Sequence, residues 1–338
     1  MSPDRAPAGG LPVPVAVLGT GIHLPPRVVG NRELTESLDT TAEWIVSRTG
    51  IRERRWLEPE LATSDMCVPA AEAALAAAGR SALDVDAIIV STYTYDQPLP
   101  STALIVKDRL GAAGALPLDL TQAACVGGLQ AVLLAAHLLQ NPATGTVLVV
   151  AADCASRVTD PADRTTRIFF GDAAAAVVLG RATDGGLLAH HHGSQLSYDV
   201  EIAAGGSRLP VSAETLAAGR HYVHMDGRAV WKSATVNLPD SITTAAARAG
   251  LTPSQIDHYF LHQANLNILT EALATLGVPP ERAPITLDRL GNTGGAGMLT
   301  ALHEVAGAGR LRPGQAYAMA AIGAGFQWGT LIFRHPGR

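Results

Sequence analysis

LDLTQAACVGGLQAVLLAAHLLQ, residues 118–140, is the stretch on which the fold prediction rests. A short apolar run ends at Leu120, small residues surround Cys125, and a long apolar helix is predicted from Val126 onward. A thiol at a helix N-terminus meets free backbone N–H groups and the positive end of the macrodipole. We therefore expect its thiolate to form more easily than in water. The alternative is a buried cysteine that packs as a small hydrophobe.

Strands and helices alternate along the rest of the chain. AIIVSTY (87–93) and TVLVVAAD (146–153) are apolar runs of strand length, typical of strands buried on both faces. RIFFGDAAAAVVLGRA (167–182) resembles two short strands around a Gly-Asp turn. In the second half, HYFLHQAN (258–265) reads as a strand into a loop, and PITLD (284–288) as a strand before a glycine-rich turn and a helix.

The second half repeats the plan of the first. This alternation favours an α/β fold with mostly parallel sheets covered by helices. We predict a duplicated protein whose halves, residues 15–184 and 185–338, pack together without a flexible linker. The Pro/Gly-rich residues 1–14 are expected to be disordered.

Composition excludes several classes of protein. The chain has 338 residues, 47% hydrophobic and 16% charged, which is an ordinary globular composition. Its net charge of −5 and the lack of a basic block argue against nucleic-acid binding. No apolar run is long enough to span a membrane, and no signal peptide is predicted. Cys67, Cys125 and Cys154 are far apart, which fits a reducing cytoplasm. The adjacent residues His190 to His192 alternate sides on a strand, so no metal site is predicted.

Three further features lie at predicted strand ends, where open α/β sheets place their sites. His262 follows the apolar run YFL, Asn292 lies in LGNTGGAG, and GAGF (323–326) offers backbone N–H groups. Each has a structural alternative, such as an asparagine that tolerates left-handed backbone angles. Together with Cys125 they make a coherent site, with a nucleophile, a proton-transfer partner and donors for an oxyanion.

These residues stand in stretches that resemble a known family. The matching stretches are EWIVSRTGIRERRW (43–56), AACVGG (123–128), TDPADRTTRIFFGDAAAAV (159–177), LHQAN (261–265), LGNTGGAG (290–297) and GAGFQWG (323–329). They resemble β-ketoacyl-acyl-carrier-protein synthase III of the thiolase-like family. The resemblance implies the duplicated, layered αβαβα thiolase fold, a homodimer, and an acyltransferase that works in the cytoplasm.

The resemblance also implies the catalytic roles. Cys125 matches the nucleophile that carries the acyl group, and His262 and Asn292 match the residues that stabilise the enolate of the malonyl thioester. The oxyanion hole would use the N–H groups of Cys125 and Ala324, although the family usually has glycine at the latter position. No cofactor is implied, since coenzyme A enters as the thioester of the substrate.

Coenzyme A contacts are implied at the entrance. Trp44 and Arg164 match the pair that encloses the adenine, a reasonable purine clamp of aromatic ring and guanidinium. The remaining implied contacts are Arg48 with a phosphate, Gly227 and Asn265 with pantetheine, and Leu99, which would reach across the dimer into the acyl pocket.

The chain departs from the family on the surface that docks the acidic carrier protein. Asn267, Ala274 and Thr275 stand where the family has basic residues, Glu271 adds an acid, and Lys232 remains. Fewer cations should weaken attraction to an acidic carrier. The residues after the nucleophile, Val-Gly-Gly, also suggest a reshaped acyl pocket.

Three functions are therefore compatible with the sequence. The first is decarboxylative condensation of an acyl group on Cys125 with malonyl-acyl carrier protein. The second is transfer of that acyl group to a hydroxyl, an amine or another carrier without condensation. The third is a non-catalytic thiolase-like partner subunit, which the retained nucleophile disfavours.

Overall fold

The computed structural model describes residues 10–121 and 123–337. Residues 1–9 of the tail that we expected to be disordered lie outside the described residues. Residues 10–14 have no regular secondary structure. Val13 nevertheless exchanges two hydrogen bonds with the Gln140 side chain: its N–H donates to Oε1 at 2.9 Å, and its carbonyl accepts from Nε2 at 3.2 Å.

The strands are β1 (Val15–His23), β2 (Arg27–Gly30), β3 (Glu53–Trp56), β4 (Ala87–Ser91), β5 (Leu116–Leu120), β6 (Thr146–Cys154), β7 (Asp172–Arg181), β8 (Gly186–Ser194), β9 (Val200–Glu201), β10 (His224–Met225), β11 (His258–Leu261), β12 (Ala316–Gly323) and β13 (Gln327–Arg334). The α-helices are α1 (Asn31–Thr35), α2 (Ala42–Thr49), α3 (Thr63–Ala78), α4 (Thr102–Leu110), α5 (Gly127–Leu138), α6 (Ala213–Ala217), α7 (Gly227–Arg248), α8 (Leu266–Leu276), α9 (Leu287–Leu290) and α10 (Ala296–Gly307).

Two large sheets share one topology. The first has the order β1-β7-β6-β4-β5, and the second, written in the matching sense, β8-β13-β12-β11. In each sheet the first two pairs are antiparallel: β1 with β7 and β7 with β6, and β8 with β13 and β13 with β12. The next pair, β6 with β4 or β12 with β11, is parallel. The sheet boundary falls in the turn between β7 and β8, where the sequence divides into its two similar halves.

Three details of the sequence prediction are wrong. The sheets are mixed rather than mostly parallel, because each half ends in an antiparallel hairpin-like pair. Residues 284–288 form no strand; the backbone there enters the short helix α9, so the second sheet lacks a counterpart of β5. Residues 167–182 contain one strand, β7, and Phe170 forms only an isolated bridge with Asn292.

The sheets and helices stack in five layers. Helices α3 and α4 cover the outer face of the first sheet, α5 and α10 lie between the sheets, and α7 packs on the outer face of the second sheet beside α8. Close packing of α3 requires glycine in β1: a Cβ on Gly21 would lie 2.2 Å from the Ala70 carbonyl oxygen. The largest hydrophobic cluster lies between the two sheets and includes α5 and α10. The helix N-termini of this middle layer carry the site.

No helix in residues 10–121 and 123–337 has the length and apolar character needed to cross a bilayer.

Candidate active site

Cys125 lies in a 3₁₀ turn, Ala124–Val126, directly before α5. Ala124 has a left-handed φ of 46°, a conformation that costs energy for a residue with a Cβ. Helix α10 begins against the same point, because a Cβ on Gly128 would lie 2.4 Å from the Gly295 carbonyl oxygen. The small residues around the cysteine thus allow two helix N-termini to meet beside the sulfur.

The Cys125 thiol is neutral in the resting protein, contrary to our expectation of an easily formed thiolate. Burial raises its pKa, the carboxyl of Asp153 adds to the rise, and the resulting pKa is about 12. A hydrogen bond from the Asn292 side chain acts in the opposite direction. Because α5 begins only at Gly127, the effect of the helix end does not offset the loss of hydration.

Asn292 is held so that its amide faces the thiol. Its backbone N–H donates to the Phe169 carbonyl at 2.8 Å, and its carbonyl accepts from the Gly171 N–H at 3.0 Å. The side-chain Oδ1 accepts the Gly294 N–H at 3.0 Å. Since Oδ1 is occupied in this way, the amide NH₂ is the group left to interact with Cys125.

His262 follows β11 and is 5% exposed. Its backbone N–H donates to the Ala320 carbonyl at 2.9 Å, which extends the pairing of β11 with β12. Burial lowers the pKa of the imidazole to about 4, so the ring is neutral at neutral pH. Its Nδ1 has no hydrogen-bond partner among the described residues.

Gln263 connects the histidine strand to the asparagine loop. Its Nε2 donates to the Leu261 and Pro284 carbonyls, and its Oε1 accepts from the N–H groups of Thr286 and Leu287. Thr286 directly precedes α9 and Leu287 is its first residue. The helix ends at Leu290, two residues before Asn292. The side chain is 1% exposed, so these bonds form away from water.

The late glycine turn lies against the nucleophile. A Cβ on Gly323 would lie 2.8 Å from the Val126 nitrogen and 3.2 Å from the Cys125 nitrogen. Ala324 follows and lines the same cavity as Cys125. The role of the Cys125 and Ala324 N–H groups as an oxyanion hole stays a prediction.

One cavity joins these groups. It contains about 890 Å³ of space including its open mouth. Its polar lining includes Cys125, His262, Asn292 and Asn265, all of which we predicted. Most of the remaining lining is apolar and comes from the segment before β7, from α7, from α8, from the end of β12 and from the turn after it: Phe169, Phe170, Val230, Trp231, Ala234, Leu238, Ile268, Ile322 and Phe326. Sequence reasoning missed these walls, because an apolar residue that faces a cavity has the same pattern as one that faces the core.

The predicted nucleotide clamp is assembled at the surface. Trp44 is 38% exposed, and the guanidinium carbons of Arg164 and Arg48 lie 5.6 Å and 5.9 Å from its ring centroid. Asn265 and Asn267 both donate from Nδ2 to the Arg48 carbonyl, at 3.1 Å and 2.9 Å, which ties α8 to the end of α2. Gly227, the first residue of α7, lines the cavity as well.

Two predicted features lie outside the cavity. Leu99 is 84% exposed and is not part of the cavity lining within one chain. His190 and His192 stack on one face of β8, whereas His191 lies within 3.0 Å of the Ser241 hydroxyl. Within the described ranges, no group of three or more His, Cys, Asp or Glu side chains could hold a metal ion.

Two buried charged residues beside the site were missed. Arg54, in the RTGIRERRW stretch, is fully buried, and its Nη2 donates at 2.7 Å to the carbonyl of Ile168, just before the segment that bridges to Asn292. Asp153 is 1% exposed at the end of β6. An acid at the carboxyl end of a buried strand was the signal that could have identified Asp153.

Known proteins share this architecture. A synthase III structure from Thermus thermophilus superposes with a TM-score of 0.88 at 36% identity, covering 96% of this chain and 100% of that one. The priming β-ketosynthase of the R1128 polyketide pathway gives a TM-score of 0.89 at 31% identity, covering 99% of each chain. The predicted duplicated thiolase-like fold is confirmed.

Sequence comparison narrows this class to one family. Residues 118–195 match the family model described as 3-oxoacyl-[acyl-carrier-protein] synthase III, and residues 246–335 match the model of its C-terminal part. The β-ketoacyl-[acyl-carrier-protein] synthase III of Symbiobacterium thermophilum is 40% identical over 95% of this chain and 98% of that protein. The enzyme of the same name from Rhodopirellula baltica is also 40% identical, over 95% and 98%. The chain belongs to the β-ketoacyl-[acyl-carrier-protein] synthase III family of enzymes.

Proposed function

We propose that this enzyme takes an acyl group from acyl-coenzyme A onto Cys125 and condenses it with malonyl-acyl carrier protein. The observation that carries the proposal is the cavity in which the Asn292 side chain is hydrogen-bonded to the Cys125 thiol and which His262 also lines. Relatives named for the acyl carrier protein support this choice of partner.

In the loading step, the Cys125 sulfur attacks the thioester carbonyl, and the acyl–sulfur bond of coenzyme A breaks. The thiol proton leaves through His262 and ends on the sulfur of coenzyme A, so that the products are acyl-Cys125 and the free thiol. The thiol and the imidazole are both neutral at rest, so the proton moves as the new bond forms. The N–H groups of Cys125 and Ala324 receive the developing oxyanion.

In the condensation step, malonyl-acyl carrier protein loses CO₂ and becomes a thioester enolate. The Asn292 amide and one ring N–H of the neutral His262 donate to the enolate oxygen. The enolate carbon attacks the acyl-Cys125 carbonyl, and the Cys125 sulfur leaves as a thiolate that takes one proton from solvent. The product is a 3-oxoacyl carrier protein. Coenzyme A takes part as a substrate, and no further cofactor is needed for this balance.

The experiment incubates the purified protein with labelled acyl-coenzyme A, with or without malonyl-acyl carrier protein. Bound label and released CO₂ are measured separately. We expect Cys125→Ala to bind no label, and Cys154→Ala, which changes a buried cysteine that does not line the cavity, to load normally. Asn292→Asp should reduce CO₂ release about 100-fold but loading much less, because it removes an enolate donor.

Each part of the proposal can fail by itself. Covalent label in Cys125→Ala would overturn the nucleophile, and equal losses of loading and CO₂ release in Asn292→Asp would overturn the division of roles. A wild-type enzyme that loads label but releases no CO₂ would overturn condensation.

A second candidate is acyl transfer from Cys125 to a hydroxyl, an amine or another carrier. One observation favours it: the exposed positions of α8 present no cation to an acidic carrier, since they are Asn267, Thr270, Glu271, Ala274 and Thr275. In that reaction His262 would take the proton from the acceptor. Transfer of label from loaded protein to a small acceptor, without CO₂ release, identifies this function.

We also propose a homodimer, because the 84% exposed Leu99 fits a residue that enters the pocket of a second copy. Sedimentation analysis would give the mass of one chain if this is wrong.

A further inference from the structure

Asp153 ties three segments of the site together. Its Oδ1 accepts hydrogen bonds from the Thr92 hydroxyl at 3.1 Å and the Tyr93 N–H at 3.0 Å, both in the segment after β4. Its Oδ2 accepts the Gly295 N–H at 3.2 Å, at the start of α10. A Cβ on Gly294 would lie 2.1 Å from Oδ2, so the carboxyl packs directly beneath the turn that follows Asn292.

The carboxyl has no cationic partner in the part of the chain that the structure describes. Asp153 forms no ion pair with a lysine, arginine or histidine of the described residues. Burial raises its pKa to about 8, and the hydrogen bonds from Tyr93, Gly295 and Thr92 limit that rise. The titratable groups that face it are Tyr93, Cys67, Cys125, Cys154 and Asp172. None of them is a cation that would stabilise its charge.

We propose that Asp153 is a positioning residue that fixes the Asn292 turn against the segment after β4 and controls the ionisation of the Cys125 thiol. The first role follows from the bonds to Gly295 and Tyr93, which join the two segments through one carboxyl. The second follows from its position, because Gly295, whose N–H it accepts, packs against Gly128 and the Ala124 carbonyl beside Cys125. A like charge at this place disfavours a thiolate. The proposal deepens the function proposed above, and its first readout is independent of that function.

The test replaces Asp153 with asparagine, which keeps the shape and removes the charge. The matched control is Asp172→Asn: Asp172 is equally buried and accepts from Leu57 and Ser156, but it is not among the groups that shift the Cys125 pKa. Alkylation of Cys125 by iodoacetamide is followed by mass spectrometry between pH 6 and 10. We expect Asp153→Asn to shift the rate profile to lower pH by about one unit above about pH 8, where the wild-type carboxyl is ionised. Asp172→Asn should produce no downward shift.

The second readout tests whether Asp153 positions the turn that follows Asn292. With an asparagine at 153, the side-chain NH₂ would face the Gly295 N–H, or one of the other donors, and that bond would be lost. We therefore expect CO₂ release to fall about tenfold relative to acyl loading, a change that a general loss of stability would not produce. If Asp153→Asn does not fold, Thr92→Val removes the hydroxyl donor to Oδ1 and should shift the alkylation profile in the same direction by less.

The proposal is overturned if the folded Asp153→Asn variant has the wild-type alkylation profile, or if Asp172→Asn shifts the profile equally. Because iodoacetamide needs no acyl substrate, an enzyme that fails to condense can still give the predicted shift. Failure of the proposed function and failure of this inference are therefore distinguishable.

Discussion

Replacing Gln263 with alanine removes the link between the strand of His262 and the loop of Asn292. The side chain donates to the Leu261 carbonyl at 2.9 Å and to the Pro284 carbonyl at 3.3 Å. It accepts from the N–H groups of Thr286 at 3.0 Å and Leu287 at 3.3 Å. All four bonds are lost in Gln263→Ala.

The magnitude follows from burial. A hydrogen bond contributes about 1 kcal/mol net, and a buried group left without its partner costs about 1–3 kcal/mol. Two of the four bonds are long, at 3.3 Å, and count for less. We expect the free energy of unfolding to fall by roughly 3–4 kcal/mol. Because the loop after Thr286 carries Asn292, we also expect CO₂ release to fall more than acyl loading.

Urea unfolding monitored by circular dichroism measures the change in stability. The control is Gln255→Ala: the Gln255 Oε1 accepts the Thr252 N–H at 2.8 Å, but this glutamine is exposed. An exposed bond of this kind should contribute about 1 kcal/mol or less. The reasoning is refuted if Gln263→Ala loses no more stability than Gln255→Ala, or if it loads and decarboxylates with equal losses.

Three further outcomes are expected. Burial lowers the pKa of His262 from 6.5 to about 4, so between these pH values the unfolded chain binds more protons than the folded one and stability falls as the pH drops. His262→Gln should remove about 2 kcal/mol of the loss of stability that urea unfolding shows between pH 7 and pH 5. Gly323→Ala would place a Cβ 3.2 Å from the Cys125 nitrogen and should slow acyl loading about 100-fold, whereas Gly307→Ala, with open space around it, should not. Trp44→Ala should raise the KM for acyl-coenzyme A about tenfold with little change in kcat, and an unchanged KM would contradict the adenine clamp.

Buried strands were the most predictable part of the fold. AIIVS in β4 and TVLVVAADC in β6 are buried along their whole length, so their continuous apolar pattern identified them. PITLD (284–288) has similar composition but forms no strand, because Gln263 takes the N–H groups of Thr286 and Leu287 that a neighbouring strand would need. A side chain 21 or more residues away decided that segment, and no local pattern contains this information.

The residues that form the site were predictable from the sequence, whereas the direction of the Cys125 pKa shift was not. Cys125 follows β5, His262 follows β11 and Asn292 follows α9, and all three meet at one cavity. The ionisation of Cys125 was predicted in the wrong direction, because a helix N-terminus can be inferred from sequence whereas the depth of burial and the position of Asp153 cannot. Asp153 is 28 residues from Cys125 in sequence, and their strands β6 and β5 lie parallel on either side of β4.

The same burial that suppresses charge at rest favours the reaction when charge develops. A medium of low dielectric constant penalises an isolated thiolate or imidazolium, which explains the pKa values of Cys125 and His262. It also strengthens every fixed dipole directed at a developing oxyanion, so the N–H groups near Gly323 and the amide of Asn292 act more strongly than they would in water. Charge is then stable only where a substrate carbonyl meets these donors, because burial penalises a bare thiolate and an ionised Asp153 opposes it further. The thiol should therefore react slowly with reagents that lack a carbonyl and quickly with thioesters, a selectivity that a preformed thiolate would not have.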